Sequence, residues 1–183
     1  MFKLIPEQLG KALQELDEWL DSHGKRIEIT LVGAIAVSNY TNEGRFTQDI
    51  DTVGKIDDET VLEQIKNLAD KHGLTSEWLS DRASTVTLPD EFFKRTKKIH
   101  SGKAIEVYVA ERQDLIALKA AAYVNRGSEV MKDLEDLMHL KVTHKEIQVA
   151  IDFVRKKCSP PIDKNPWRAH FEESLEVLRE LAK

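Results

Sequence analysis

The spacing of hydrophobic residues changes along the chain and divides it into two parts. In the first part, leucines recur at intervals of three and four residues over 6–23, which predicts a helix that ends at Gly24. The near-continuous apolar run over 27–32 is typical of a central strand. The same two patterns predict further helices over 34–40 and 60–72, and further strands over 48–53, 83–88 and 104–109.

After residue 111 the hydrophobic pattern becomes entirely helical. It predicts helices over 113–125, 129–140, 143–157 and 167–181. Thr143 and Glu146 have the spacing of a capping box at the start of one of them. The chain is therefore predicted to be an α+β protein. A small mixed β-sheet flanked by helices occupies 1–110, and a helical region over 111–183 packs on this core.

Composition restricts the class of protein. The chain has 183 residues, of which 41% are hydrophobic, enough for one domain or one domain with a helical extension. Its net charge of −5 argues against a broadly basic surface for nucleic acid. The single cysteine, Cys158, excludes an internal disulfide and a cysteine-based zinc site. No apolar stretch has the length of a signal peptide or a membrane span, so we expect a cytoplasmic protein with no membrane partner.

Two carboxylates on the strand predicted over 48–53 form the first candidate site. Asp49 and Asp51 are two positions apart, so their side chains project from the same face of a strand and Ile50 projects from the other. Like charges that are partly buried repel each other and are stabilised by a cation. The alternative is a solvent-exposed face on which the pair is simply hydrated.

Two further residues suggest a ligand beside this pair. Glu106 lies on the strand predicted over 104–109. If that strand pairs beside the aspartate strand, three carboxylates surround hard cations such as Mg²⁺. Gly33 lets the backbone approach a ligand, and the helix after it presents free N–H groups to an anion. The alternatives are a hydrated glutamate on a half-exposed strand and a plain turn into a packed helix.

These residues belong to segments that follow one another in a defined order over roughly 27–140. The segments are Leu31-Val32-Gly33-Ala34, Arg45-Phe46-Thr47-Gln48-Asp49-Ile50-Asp51, Leu115-Ile116-Ala117-Leu118-Lys119-Ala120-Ala121-Ala122, Arg126, and Lys132-Asp133-Leu134-Glu135-Asp136-Leu137. In this order the chain resembles the nucleotidyltransferase superfamily, which has the fold of DNA polymerase β. It looks closest to the small AbiEii-like nucleotidyltransferases, many of which belong to toxin–antitoxin or abortive-infection modules.

The resemblance implies a nucleotidyltransferase fold and transfer of a nucleoside monophosphate from an NTP with the help of Mg²⁺ or Mn²⁺. It implies that Asp49, Asp51 and Glu106 bind the metal ions at the catalytic site. Lys119 is then expected to contact phosphates or stabilise charge in the transfer, and Asp133 to orient Lys119 or Arg126 or to act at the site itself. Contacts to the nucleotide are expected from Gly33, Ala34, Arg45, Thr47 and Arg126.

The acceptor and the biological role stay open. The resemblance is compatible with a hydroxyl on RNA, such as tRNA, or on a protein, and with a cognate antitoxin as partner. Ala34 stands where the family has Gly or Ser and supplies no hydroxyl, which favours a second hypothesis. In that hypothesis the fold is kept as a non-catalytic interaction module, such as an antitoxin or a scaffold. A third hypothesis is a metal-binding regulator.

Several charged residues have two interpretations each. Lys119 is either a catalytic group or a helix-surface lysine, and Asp133 and Asp136 are either functional or early-helix charges that favour the dipole. Arg45 either contacts substrate or pairs with the acidic residues. A basic cluster either guides RNA or a nucleotide to the site or forms a solvated charged hairpin; it comprises Lys94, Arg95, Lys97, Lys98, His100 and Lys103.

Overall fold

The computed structural model describes residues 5–41, 47–54, 56–126, 131–158 and 167–181. A mixed sheet and surrounding helices confirm the predicted α+β class. The chain divides into two units. The first comprises 1–86 and 93–110 and contains the sheet, and the second comprises 87–92 and 111–183 and is helical.

Five strands of the first unit form one sheet. They are β1 (Ile27–Leu31), β2 (Ile50–Val53), β3 (Leu79–Ser80), β4 (Lys97–Ser101) and β5 (Ile105–Val109), in the spatial order β3-β2-β1-β5-β4. The central strand β1 runs antiparallel to β2 and parallel to β5. The outer pairs are β2 with β3, which are parallel, and β4 with β5, which are antiparallel.

Two long helices of the first unit, α1 (Glu7–Ser22) and α3 (Glu59–His72), pack against each other. The leucines of α1 are buried, as their spacing predicts. Helix α3 begins after Asp58, whose carboxylate accepts from the N–H groups of Thr60 and Val61, and ends at Gly73 in the left-handed conformation with φ 63°. A short helix α2 (Ala34–Ser38) follows β1 directly.

The turn between β4 and β5 is held by a carboxylate from α1. Asp17 accepts hydrogen bonds from the backbone N–H groups of Lys103, Ala104 and Ile105 at 2.9, 2.7 and 2.7 Å. Burial alone would raise the pKa of Asp17, but these three donors bring its pKa below the ordinary value. Gly102 leaves the space that the carboxylate needs, since a Cβ there would lie 2.6 Å from both oxygens. The turn is therefore fixed to the helix.

The sequence pattern is wrong at one strand and misses two others. The strand predicted over 83–88 is instead a 3₁₀-helix at Arg82–Thr85. The position beside β2 is taken by Leu79–Ser80, a strand too short to show any alternation. β4 was missed because its exposed, mostly charged residues have no hydrophobic period. Its antiparallel pairing with β5 matches the hairpin alternative for the basic cluster.

The second unit is built on the buried helix α5 (Arg112–Arg126), which packs against α6 (Lys132–His139), α7 (His144–Cys158) and α8 (Trp167–Glu180). Between α3 and α5 the chain also forms the four-residue helix α4 (Phe92–Arg95). None of the helices in the described ranges has both the length and the apolar character needed to span a bilayer.

Glu146 joins the ends of two helices in the second unit. Its Oε2 accepts from the N–H of Thr143 at 2.8 Å, while the hydroxyl of Thr143 accepts from the N–H of Glu146 at 3.3 Å, which confirms the capping box. Arg112 donates to Oε1 at 2.7 Å and to the carbonyl oxygen of Leu140 at 2.8 Å. Arg112 is the main cause that lowers the pKa of Glu146 to about 2.

We expect the Glu146→Gln variant to lose part of the dependence of stability on acidic pH. The folded pKa of about 2 lies below the ordinary 4.5, so the carboxylate stabilises the native state above pH 4.5 and this contribution is lost as pH falls towards 2. The pKa difference corresponds to on the order of 3 kcal/mol. Urea unfolding between pH 2 and 6 measures it, with the exposed Glu173→Gln as control. Parallel curves for wild type and Glu146→Gln would contradict the assignment.

Candidate functional site

Asp49 and Asp51 lie where β1 ends beside β2. The N–H of Val32, the residue after β1, donates to the carbonyl oxygen of Asp51 at 3.1 Å. Ile50 is fully buried, whereas Asp49 and Asp51 are half-buried. The alternation predicted for this strand is therefore present, with the apolar side chain in the core and the two carboxylates away from it.

Asp49 is oriented by the residue two positions before it. The hydroxyl of Thr47 donates to Oδ1 of Asp49 and also lies 3.3 Å from its carbonyl oxygen. Thr47 is itself 8% exposed, so this hydroxyl is fixed from within the protein. The geometry gives Thr47 a role in holding Asp49, and its predicted contact to a nucleotide stays a prediction.

Gly33 leaves the space that the Asp51 side chain occupies. A Cβ built on Gly33 would lie 2.7 Å from both Cβ and Cγ of Asp51, closer than carbon atoms approach without a bond. Its φ of −80° is open to any residue, so the requirement for glycine here is the space and not the backbone conformation. Neither a plain turn nor a phosphate cradle is needed to explain this glycine.

The residues expected to hold the triphosphate are buried in this structure. The first helical hydrogen bond of α2 runs from the N–H of Val37 to the carbonyl oxygen of Gly33 at 3.2 Å, so the amides of 34–36 precede the ladder. Ala34 is only 4% exposed. The phosphate contacts of Gly33 and Ala34 stay predictions, and Arg45 lies outside the described residues.

Glu106 lies on the predicted strand but not beside the aspartates. In the parallel pairing it stands opposite Glu28 on β1, whereas Asp51 bonds to Val32, four residues further along β1 and thus about 13 Å away in that direction. The residues of β5 that pair with the end of β1 are Tyr108, opposite Thr30, and Val109, opposite Leu31. Within the described part of the chain no three His, Cys, Asp or Glu side chains are grouped closely enough for one metal ion. Contrary to the expectation, Asp49, Asp51 and Glu106 therefore do not converge on one metal site.

The carboxylate of Glu106 is engaged by its own neighbours. Lys98 on β4 lies 2.7 Å from Oε1, and the hydroxyl of Tyr108 donates to Oε2 at 2.9 Å. The hydrogen bond from Lys98 is the main cause that lowers the pKa of Glu106 below its usual value. The ammonium of Lys98 also lies 5.3 Å from the centre of the Tyr108 ring. These three side chains form a local polar cluster.

The charged residues predicted in the helical half form a buried network between α5 and α6. The ammonium of Lys119 lies 3.2 Å from Oδ1 of Asp133 and 2.6 Å from Oδ2 of Asp136. Arg126 reaches Oδ2 of Asp133 at 2.9 Å. The side chains of Lys119, Asp133 and Asp136 are 10%, 2% and 1% exposed, whereas that of Arg126 is 59% exposed.

This network has two positive and two negative charges and is neutral as a whole. The alternative of a surface lysine is wrong, because Lys119 is buried. Asp133 does lie in the first turn of α6, as the early-helix alternative expects, but it is buried and paired as well. Asp133 contacts both Lys119 and Arg126, the two residues it was expected to orient. Asp136 was not among the predicted site residues, although its place one turn after Asp133 on the same helix was a usable signal.

We expect Lys119→Met to destabilise the protein by about 3 kcal/mol, because it removes the ammonium that lies 2.6 Å from the buried carboxylate of Asp136. Adding Asp136→Asn should restore part of this loss, since the amide carries no charge. The exposed Lys132→Met on α6 serves as the control. Urea unfolding of the four proteins measures the effect, and a Lys119→Met protein as stable as the control would rule out the structural role.

We expect Gly33→Ala to destabilise the protein by about 1–3 kcal/mol, because the new methyl group meets the side chain of Asp51. In an Asp51→Gly background the same substitution should cost less, since the colliding atoms are gone. Gly10→Ala on α1 is the matched control, because a Cβ there meets nothing within 4 Å. Thermal unfolding measures the cycle, and additive effects of the two substitutions would contradict the contact.

Comparison with known proteins identifies the family of this chain. A family model described as a nucleotidyltransferase of unknown function (DUF6036) matches residues 7–156, which include the aspartate pair and the Lys119 network. Neither the curated proteins nor the solved structures contain a match. Since the family match covers well over half of the sequence, the chain belongs to this family of nucleotidyltransferases.

Proposed function

We propose that this protein is a Mg²⁺-dependent enzyme that transfers a nucleoside monophosphate from an NTP to an acceptor hydroxyl. The observation that carries the proposal is the half-buried pair Asp49 and Asp51 at the end of β1, with Asp51 seated against Gly33. Membership of a nucleotidyltransferase family supports a nucleotide as substrate. The reaction, the metal and the acceptor are the parts that we add.

The donor set fits a hard divalent cation. Asp49 and Asp51 supply carboxylate oxygens from one side of the strand, and two carboxylates plus water and phosphate oxygens are a usual ligand set for Mg²⁺ or Mn²⁺. Thr47 holds the carboxylate of Asp49 and the space at Gly33 accommodates that of Asp51, so both groups are oriented in advance. When bound, Mg²⁺ would neutralise phosphate charge and polarise the reacting phosphoryl group.

In nucleotidyl transfer the protein mainly has to align the reacting groups and stabilise their charge. An acceptor hydroxyl oxygen bonds to the α-phosphorus, the bond from that phosphorus to the bridging oxygen breaks, and pyrophosphate leaves while the hydroxyl proton passes to solvent. Phosphoryl transfers of this kind are accelerated mainly by alignment and electrostatic stabilisation. We assign Lys119 and Asp133 to the support of α5 and α6, because two carboxylates already neutralise the lysine.

The finer part of the proposal places the protein among AbiEii-like nucleotidyltransferases. The ordered segments from Leu31 to Leu137 support this relationship. In this proposal the acceptor is a hydroxyl on RNA, such as tRNA, or on a protein, and a cognate antitoxin is the regulator. Genes adjacent to the coding sequence provide an independent check, because a small transcription-factor-like neighbour is expected in such a module.

A second candidate function is a non-catalytic module that binds a nucleotide or a partner without transfer. The place of Glu106 favours it, because this carboxylate is engaged by Lys98 and Tyr108 and is displaced along β1 from the aspartates. Ala34, which supplies no hydroxyl, points the same way. The two candidates differ in one measurable property, the release of pyrophosphate.

We expect Asp51→Asn to weaken binding of Mn²⁺ at least tenfold, and Asp49→Asn with Asp51→Asn to abolish transfer, because neutral amides bind hard cations poorly. Electron paramagnetic resonance of Mn²⁺ with ATP measures binding. α-³²P-labelled NTPs incubated with total tRNA or with cell protein measure transfer.

The Asp70→Asn variant, on the exposed side of α3, is the matched control and should behave as wild type. Wild-type-like binding and transfer by the double variant would refute the site. Binding that depends on the aspartates, without any transfer or pyrophosphate release, would favour the non-catalytic module instead.

A further inference from the structure

One edge of the sheet carries a concentrated positive charge. The stretch over 93–103, here called the basic edge, contains five Lys and Arg residues and no Asp or Glu. The chain as a whole has a net charge of −5, so the remainder carries −10, which is −5 minus the +5 of this stretch. Such asymmetry creates a local positive potential on an otherwise acidic protein.

The basic edge is a surface of the sheet and not part of its core. It includes β4, which pairs with β5 and is the last strand in the sheet order. Lys97, Lys98 and Lys103 are exposed. Two apolar side chains lie among the cations, Phe93 at 57% and Ile99 at 40% exposure. Lysines that merely protect an edge strand from aggregation explain the charges but not these exposed apolar groups.

The scaffold under the basic edge is rigid. Asp17 fixes the turn through three backbone N–H groups, and the side chain of Lys103 at that turn is left exposed. The ladder to β5 fixes the strand itself. Cations held on such a scaffold bind an extended polyanion at a smaller entropic cost than cations on a flexible tail.

An aromatic side chain lies on the face of the sheet that also carries Asp51. Tyr108 on β5 stands opposite Thr30 on β1, and this row is followed on the same face by Val32 and Asp51. Tyr108 and Asp51 are two strands apart across the sheet and two residues apart along it, which corresponds to about 12 Å between their Cα atoms. The Tyr108 ring is half-exposed and lies under the ammonium of Lys98. Aromatic rings beside cations are a common platform for unpaired bases.

We propose that the basic edge and Tyr108 bind a single-stranded RNA segment that presents the acceptor hydroxyl. Lys103 and the exposed lysines on the two sides of β4, Lys97 and Lys98, would contact phosphates along the edge. The Tyr108 ring, on the Lys98 side of the strand, would stack on a base within one or two nucleotides of the aspartates. The role of this RNA as the acceptor rests on the proposed function, but binding of RNA to this surface does not depend on transfer. RNA is favoured over an acidic protein because an aromatic ring and two exposed apolar side chains lie among the cations of this edge.

Fluorescence anisotropy with a fluorescein-labelled U₁₂ oligonucleotide, without NTP or Mg²⁺, tests the surface. Lys97→Gln with Lys98→Gln and Lys103→Gln should weaken binding at least tenfold and reduce the slope of log K against log salt by about 2. The control triple variant Lys66→Gln, Lys132→Gln and Lys145→Gln removes the same charge elsewhere and should change affinity much less. Tyr108→Ala should weaken binding about tenfold while Tyr108→Phe retains it.

Three results would overturn the proposal, and a comparison with transfer separates it from the proposed function. Equal losses in the two triple variants would mean that net charge alone attracts RNA, and absence of U₁₂ binding at 50 mM salt would remove the surface altogether. Polyglutamate that competes for the same lysines without any effect of Tyr108→Ala would assign the edge to an acidic protein. If the basic-edge variants lose U₁₂ binding but retain nucleotidyl transfer, this inference alone is refuted. If the protein binds U₁₂ but shows no nucleotidyl transfer, the proposed function alone is refuted.

Discussion

The missing side chain at Gly33 is the constraint on which the candidate site depends. It lets β1 end directly against the side chain of Asp51, while the N–H of Val32 bonds to the Asp51 carbonyl. The carboxylate is therefore held in one place by packing, and Asp49 is held two residues earlier by Thr47. A pair of oriented carboxylates at a strand end follows from this close approach, and any larger residue at 33 would displace one of them.

The charges of the protein separate into a structural class and a surface class. Lys119, Asp133 and Asp136 form a buried ion network that joins α5 to α6, and the exposed Arg126 completes its charge balance. Asp49 and Asp51 are half-buried beside a strand end, and the cations of β4 are exposed. The family match extends over all of these features and does not by itself assign a role to any of them.

The predictions that succeeded depend on local physics. Leucine spacing, the glycine at the end of α3, the capping box and the alternation around Ile50 each involve residues a few positions apart, so the sequence displays them directly. The failures are the elements whose partners are distant in sequence. Leu79–Ser80 is a strand only because β2 lies beside it, and the charged residues of β4 form a strand only because β5 offers its hydrogen bonds.

Local patterns in the sequence were enough to predict the α+β class, most helices, and the alternation around Ile50 that leaves Asp49 and Asp51 away from the core. The contacts of these and the other charged residues depend on how distant segments pack together. The parallel register of β1 and β5 places Glu106 four residues from the level of Asp51 and beside Lys98, and no local pattern encodes that register. The packing of α5 on α6 likewise places Lys119 at the centre of a buried ion network. Sequence periodicity fixes which face a side chain occupies, whereas the pairing of distant strands and helices fixes its neighbours.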